Sequence, residues 1–406
     1  MIYLFILFVL FVFIIQYDFN NNRSNKKLCV RFILLIMILV SGFRYRVGAD
    51  SNNYIYYFYH ETPLLWEIAW DNIFEYEIEP FFLLILSIVK TIGGKFYIVQ
   101  IIQSIFVNSL IFLYLIKHSK YPFTCFFIYF LWCYPILNFE EMRAGMSIAV
   151  CLFANDFIQE KKWFKSYLLY TIGILFHYST ALLLITPIML FLRINIAGLI
   201  ILLLSYALGF VIQQSLGNYI ELFEFNQQLS EKAVRYSNHD VLFKENITIL
   251  GILAKKVSLV FYSFFAYYFI NKRTKYSETD IVKIQPFVII GLICVVFSIP
   301  MPIFYRYIHF YQIYFIILFV HLFACLVKDS FYQMGSLSWV RALILFIPFF
   351  NVIGYEYYYQ FNYYRPIFYY SRFYPYSSIF DKSVDEDREY FYKHWELGKP
   401  VNLNEY

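Results

Sequence analysis

The chain has 406 residues, of which 61% are hydrophobic, 23% aromatic and 15% charged, with a formal net charge of +5. Charged residues usually make up about a quarter of a soluble domain, so this composition indicates a membrane protein and excludes disordered, collagen-like and secreted disulfide-scaffold chains. It offers no basic face for nucleic acid.

Met1 to Ile15 is apolar with no basic stretch before it and no small-x-small cleavage site after it, so it is expected to be an uncleaved first span. Further apolar runs follow at Leu28 to Phe43, Pro80 to Ile92, Phe96 to Ile116, Pro122 to Asn138, Met142 to Phe157 and Ser166 to Leu192. The series continues with Ile194 to Ile212, Ile247 to Ile270, Ile284 to Ile299, Ile303 to Val327 and Leu337 to Gly354. Helices satisfy their own backbone hydrogen bonds in lipid. The runs therefore predict an all-α polytopic membrane protein, a helical bundle of roughly 11–13 transmembrane or re-entrant segments over 1–354. A Tyr-rich, outward-facing tail over 355–406 completes the chain. The six cysteines lie in or beside apolar runs without a CxxC or a Cys/His cluster, and read as small core residues.

Lys and Arg accumulate in short cytoplasmic loops. That rule places the clusters at Arg23 to Arg31, Lys117 and Lys120, Lys161 to Lys165, Lys272 to Lys283, and Lys328 and Arg341 inside. The acidic loops 44–79 and 213–246 then lie outside. Parity rules out two runs as simple crossings. Pro80 to Ile92 offers about 18 Å of helix against a hydrocarbon core of about 30 Å, and is expected to be re-entrant or interfacial. Ser166 to Leu192 is expected to form two short legs joined near His177.

Ionisable groups at the lip of a bundle are costly to desolvate and tend to mark a site. In the stretch Arg44-Tyr-Arg46-Val-Gly48-Ala-Asp50 to Tyr54, a glycine between arginine and aspartate permits a turn that brings both charges back to the surface. The alternative is an interfacial turn with a snorkelling arginine. Glu79 precedes Pro80, and helix-start duty accounts for it when taken alone. Arg143 opposes the dipole at a helix start, which calls for an anionic partner, either Glu140 or a ligand phosphate. His177-Tyr-Ser-Thr is a polar patch in an apolar run, read as cavity lining or as a hydrogen-bonded core histidine. Arg306 and Tyr307 follow two prolines and suit an oxyanion clamp, with an aromatic interface belt as the rival reading. Nucleotide-binding glycine fingerprints, HExxH and nucleotide-sugar metal motifs are not evident, so no metal or cofactor is expected.

In this order the constellations resemble the EpsG-like family of polysaccharide polymerases, which includes Wzy-type O-antigen and capsule polymerases. The resemblance rests on Arg44, Gly48, Asp50 and Tyr54, on Glu79 before a short helix, on Arg143, on Phe176-His177 with Ser179, and on Arg306-Tyr307. Ala49 and Ala144 depart from the Thr and Gln usual at those places. The resemblance implies a multi-pass protein of the bacterial cytoplasmic membrane, compatible with a glycosyltransferase-C-like architecture and with its active site facing the periplasm or exterior. It also implies undecaprenyl-diphosphate-linked oligosaccharides as donor and acceptor, with a chain-length regulator and a flippase as partners. Arg143 and Arg306, supported by Arg44 or Arg46, would bind the diphosphate. His177 or Asp50, with Glu79 in reserve, would take the acceptor's proton, and Tyr54 and Tyr307 would contact substrate. A lipid-linked oligosaccharide flippase and an O-antigen ligase are the competing expectations.

Overall fold

The computed structural model describes residues 1–20, 23–219, 249–273, 279–301, 304–332, 360–361 and 367–394. Most of the expected 213–246 loop, Lys275, Arg341 and the whole Leu337 to Gly354 run lie outside the described residues. The described chain is all-α apart from a two-residue antiparallel pair, Gln360–Phe361 with Ile367–Phe368. It forms two compact units, Met1–Pro187 together with Tyr357–Tyr406, and Ile188–Glu356.

Among the described residues, three helices are long and apolar enough to cross a membrane: Ile2–Phe19, Phe96–His118 and Ile196–Gln214. Pro80–Thr91, Pro122–Trp132, Tyr178–Met189, Ile281–Phe297 and Gln312–Cys325 are shorter apolar helices. The difference from the number of runs read in the sequence has a local cause, because several runs are cut by irregular turns. The run from Pro122 stops as an α-helix at Trp132 and continues as a π-turn over Ile136–Glu140. The run from Ser166 breaks at His177, whose backbone is extended (φ −158°, ψ 116°), and resumes as a 3-10 helix over Tyr178–Met189.

The first unit comprises α1 (Ile2–Phe13), α2 (Lys26–Gly42), α3 (Ser51–Tyr56), α4 (Pro80–Thr91), α5 (Phe96–His118), α6 (Pro122–Trp132), α7 (Met142–Gln159) and α8 (Trp163–Phe176). Its basic clusters gather at one end. Asp18, beyond α1, accepts from the Thr124 backbone N–H (2.7 Å) and hydroxyl (2.9 Å) at the start of α6 and lies 3.8 Å from Lys26 Nζ. Near the end of α7, Asp156 binds Lys117 Nζ (2.6 Å) and His118 Nε2 (2.8 Å) at the end of α5. Small residues let α7 and α8 pack closely: a Cβ on Gly173 would meet Cys151 Sγ at 2.8 Å and Ser147 Oγ at 3.0 Å.

At the opposite end the helices stop at different heights. Gly42, the last residue of α2, packs on Ile101, and the Phe176 ring at the end of α8 meets Phe106 of α5 at 5.5 Å and Phe81 of α4 at 5.4 Å. Phe106 lies ten residues inside α5, about 15 Å of helix from its first turn. The end of α8 and the start of α4 therefore sit in a recess below the start of α5. From there α4 climbs alongside α5, and the loop before it meets its far end through Leu65 N–H to Thr91 Oγ1 (2.8 Å) and Lys90 Nζ to the Thr62 carbonyl (2.6 Å).

The tail belongs to the first unit because its polar groups are spent there. Backbone hydrogen bonds run from Tyr45 N–H to Ser377 O (2.8 Å), Gly48 N–H to Arg372 O (2.9 Å) and Ile379 N–H to Phe43 O (2.9 Å). The Tyr392 hydroxyl reaches the Arg46 and Gly48 carbonyls, each at 2.8 Å. The Tyr-rich tail uses two of its hydroxyls, those of Tyr376 and Tyr392, to fasten backbone carbonyls.

In the second unit Ile196–Tyr219, numbered α9, packs on Thr279–Phe297, and Ile249–Arg273 packs on Gln312–Tyr332. Stacked or edge-on rings fill its interior, Phe287 on Tyr314 at 4.6 Å and Tyr262 on Phe319 at 4.9 Å.

Candidate functional site

Glu79 is the hub of the recess. It ends the chain's descent in extended conformation and precedes Pro80 at the first position of α4, so helix-start duty is part of its role. Its side chain does more. Oε2 accepts from Arg143 Nη1 at 2.5 Å, while Oε1 accepts from His177 Nδ1 at 2.9 Å and from the Tyr178 backbone N–H at 3.3 Å. Arg143 comes from the first turn of α7, and His177 is available because the helix breaks there. Tyr54 of α3 lies beneath the guanidinium, 5.7 Å from ring centroid to Cζ, and packs on Phe82 with the two rings tilted by 57°.

Exposure divides the labour in this cluster. The Glu79 side chain is 5% exposed, against 25% for Arg143 and 19% for His177. The cation and the imidazole face outward, with the carboxylate behind them. Burial opposes the charge on Glu79, but the His177 hydrogen bond and the Arg143 guanidinium overcome it and hold the carboxyl at about 2. Such a group is a weak base and a strong anchor. Nδ1 faces Glu79, so Nε2 is the ring nitrogen left to meet a ligand, and it accepts a hydrogen bond whenever it carries no proton. Arg143 has five N–H donors, and Glu79 and Tyr54 occupy only part of its fork.

The expected site residues are distributed unevenly. Tyr54, Glu79, Arg143 and His177 meet directly. Asp50 sits at the start of α3, near enough for its charge to act on both Tyr54 and Glu140. Arg44 has no exposed surface: it donates to the Ser41 carbonyl and the Met142 sulfur, with its guanidinium 5.4 Å from the Phe139 ring centroid. Arg46 is held by Glu389 through three contacts, 3.1 Å from Nε and 2.8 and 2.7 Å from Nη2. The turn between Arg46 and Asp50 does need its glycine, since Gly48 has φ +105° and a Cβ there would collide with the Phe139 carbonyl. Arg306 is exposed on the Tyr305–Ile308 helix of the second unit, where Tyr307 packs on Phe304 at 5.4 Å; their expected part in substrate binding rests on the motif.

A second charged pair was not evident from the sequence. Glu140 is not the partner of Arg143. It binds Arg372 Nη1 (2.6 Å) and accepts from the Ala49 backbone N–H (3.1 Å), and burial outweighs Arg372 to push its carboxyl up to about 7. Among the described residues no group of three or more His, Cys, Asp or Glu side chains is arranged to hold a metal ion.

The family model described as EpsG family matches residues 27–378, most of the chain and all of this cluster. The chain belongs to the EpsG family. Membership makes it a membrane protein of polysaccharide synthesis, and the four converging residues are among those that carried the motif resemblance. No curated protein and no solved structure matches the chain.

Proposed function

We propose that this EpsG-family protein is a polymerase that joins undecaprenyl-diphosphate-linked oligosaccharide repeats on the outer face of the bacterial cytoplasmic membrane. The observation that carries the proposal is the bridge Glu79 makes between Arg143 and His177, one carboxylate oxygen to each. Glycosyl transfer from a lipid diphosphate needs two groups: one takes a proton from the attacking hydroxyl, and the other stabilises charge on the departing diphosphate. His177 Nε2 takes the proton as the acceptor oxygen bonds to the donor's anomeric carbon. The bond from that carbon to the diphosphate breaks, and Arg143 receives the lipid diphosphate. Glu79 touches neither reactant; it fixes the imidazole and the guanidinium at a set separation. The Tyr54 ring is the floor on which the guanidinium rests.

Arginine suits the task because it stays charged and offers parallel donors to phosphate oxygens. No activated nucleotide is needed, since the donor already carries its leaving group.

The test is purified protein in liposomes supplied with lipid-linked repeats from its own cell, read as a ladder of product lengths. A ladder from the wild type and none from His177→Ala is the expected result. Translocation of the repeats without new glycosidic bonds would make the protein a flippase. Transfer to a different acceptor without a ladder would make it a ligase.

A further inference from the structure

The loop that walls the recess carries a second feature. Between Glu61 and Glu77 there are five acidic residues, Glu61, Glu67, Asp71, Glu75 and Glu77, and no lysine or arginine. Within it, Trp66 is 70% exposed, Trp70 56% and Phe74 66%. The rings are exposed although the backbone is pinned. Ile68 and Ile78 are buried, the Leu64 N–H is held by Glu67 (2.9 Å), the Ala69 N–H by the Tyr76 hydroxyl (3.1 Å), and Leu65 by Thr91. A loop with this many internal bonds holds its aromatic rings outward at little entropic cost.

Two surroundings accept an exposed tryptophan: a lipid headgroup layer and the apolar face of a sugar ring. The charges favour the sugar. Interfacial aromatic anchors normally come with Lys and Arg, which anionic headgroups attract, whereas this segment has five carboxylates and no lysine or arginine of its own, and stays net acidic with Lys90 of α4 packed beside it. Carboxylates interleaved with rings suit a hydroxyl-rich ligand, whose O–H groups donate to the acids while its C–H faces lie on the indoles. The same charges repel a uronic acid or a phosphorylated sugar.

We infer that Trp66 and Trp70, with Phe74 and the surrounding carboxylates, form a glycan-holding platform for neutral or amino-sugar segments of the growing chain. The platform is distinct from the Glu79 cluster and continuous with it through Ile78. This rests on the polymerase reading. Its consequence is on chain length: a chain held on the platform stays for the next addition, and a chain that is not held departs early.

The experiment compares the length of polymer made in the native cell by the wild type, Trp66→Ala/Trp70→Ala, Trp66→Phe/Trp70→Phe and His177→Ala. Losing two stacking rings should weaken retention by about 2- to 10-fold per ring. The alanine pair should therefore make shorter chains at wild-type protein level, with length restored in the phenylalanine pair. Quenching of protein fluorescence by brominated phospholipids in nanodiscs should be the same in the wild type and the phenylalanine pair. Unchanged length in the alanine pair, or quenching in the wild type that the phenylalanine pair lacks, overturns the platform. If His177→Ala also makes normal polymer, the polymerase reading fails; if only the tryptophan result fails, that reading stands without the platform.

Discussion

Glu79 and His177 lie 98 residues apart and meet at 2.9 Å, carboxylate oxygen to Nδ1. The contact exists because α8 stops one residue short of His177, and because α4 begins at the depth where α8 ends. Neither event is needed for a membrane helix, and both deliver a polar side chain to one point.

Replacing His177 by alanine should lower polymer formation by about 10²–10⁴-fold, the usual contribution of a positioned general base. Glu79→Gln should cost less, since an amide still accepts from Nδ1 but leaves Arg143 without its counter-charge. Initial rates in proteoliposomes check the order. A Glu79→Gln variant slower than His177→Ala would give Glu79 the larger part.

Arg143→Ala should abolish the product ladder, by about 10²–10³-fold in rate, while Arg143→Lys should keep a fraction through its point charge. The alanine variant also leaves Glu79 buried without its cation, so thermal midpoints in detergent are measured alongside. A folded Arg143→Ala protein with normal chain length would remove arginine from the diphosphate step.

The pH dependence of stability has opposite signs at the two buried carboxylates. Glu79 is held at about 2, so the stability it contributes is complete above its ordinary value of 4.5 and is lost as pH falls toward 2. Glu140 is raised to about 7, so the folded state retains a proton that the unfolded chain has released above 4.5. Stability therefore falls as pH rises from 4.5 to 7, by about 3 kcal/mol in total. Glu140→Gln should flatten that slope in thermal melts between pH 5 and pH 7.5, and an unchanged slope would assign it to other groups.

Arg388 is 1% exposed and donates to the carbonyls of Ser371, Arg46 and Pro375, tying the tail to the Arg44–Gly48 turn. Arg388→Ala removes three hydrogen bonds and should destabilise the first unit by about 2–4 kcal/mol, with earlier protease cleavage of the tail. Arg46→Ala and Glu389→Ala should each cost less, and a double-mutant cycle should show coupling, because their contact remains partly solvated.

The helical character and the break at His177 were legible in sequence because both are local: an apolar run shows its length, and four polar residues inside one show an interruption. The partner of Arg143 was legible only as a need for an anion. Its identity was not, since Glu79 is 64 residues away and looks like an ordinary helix start. Arg44 was misleading for a related reason. A charge at the lip of a run reads as accessible, but Met142 and Phe139 from a different turn enclose it. The tail gave the weakest signal, since tyrosine-rich composition describes an interface equally well whether its hydroxyls meet water, sugar or backbone carbonyls.

The first unit is interrupted in sequence by the whole of the second, and Tyr3 near one end of the chain donates to the Phe373 carbonyl near the other. Arg46 leaves the ribosome 343 residues before the glutamate that neutralises it. The half that contains the Glu79 cluster therefore cannot close while synthesis is under way. A polypeptide released early would carry every residue of that cluster without the segment that seals the turn beside it, so the order of manufacture itself withholds a finished site from incomplete chains.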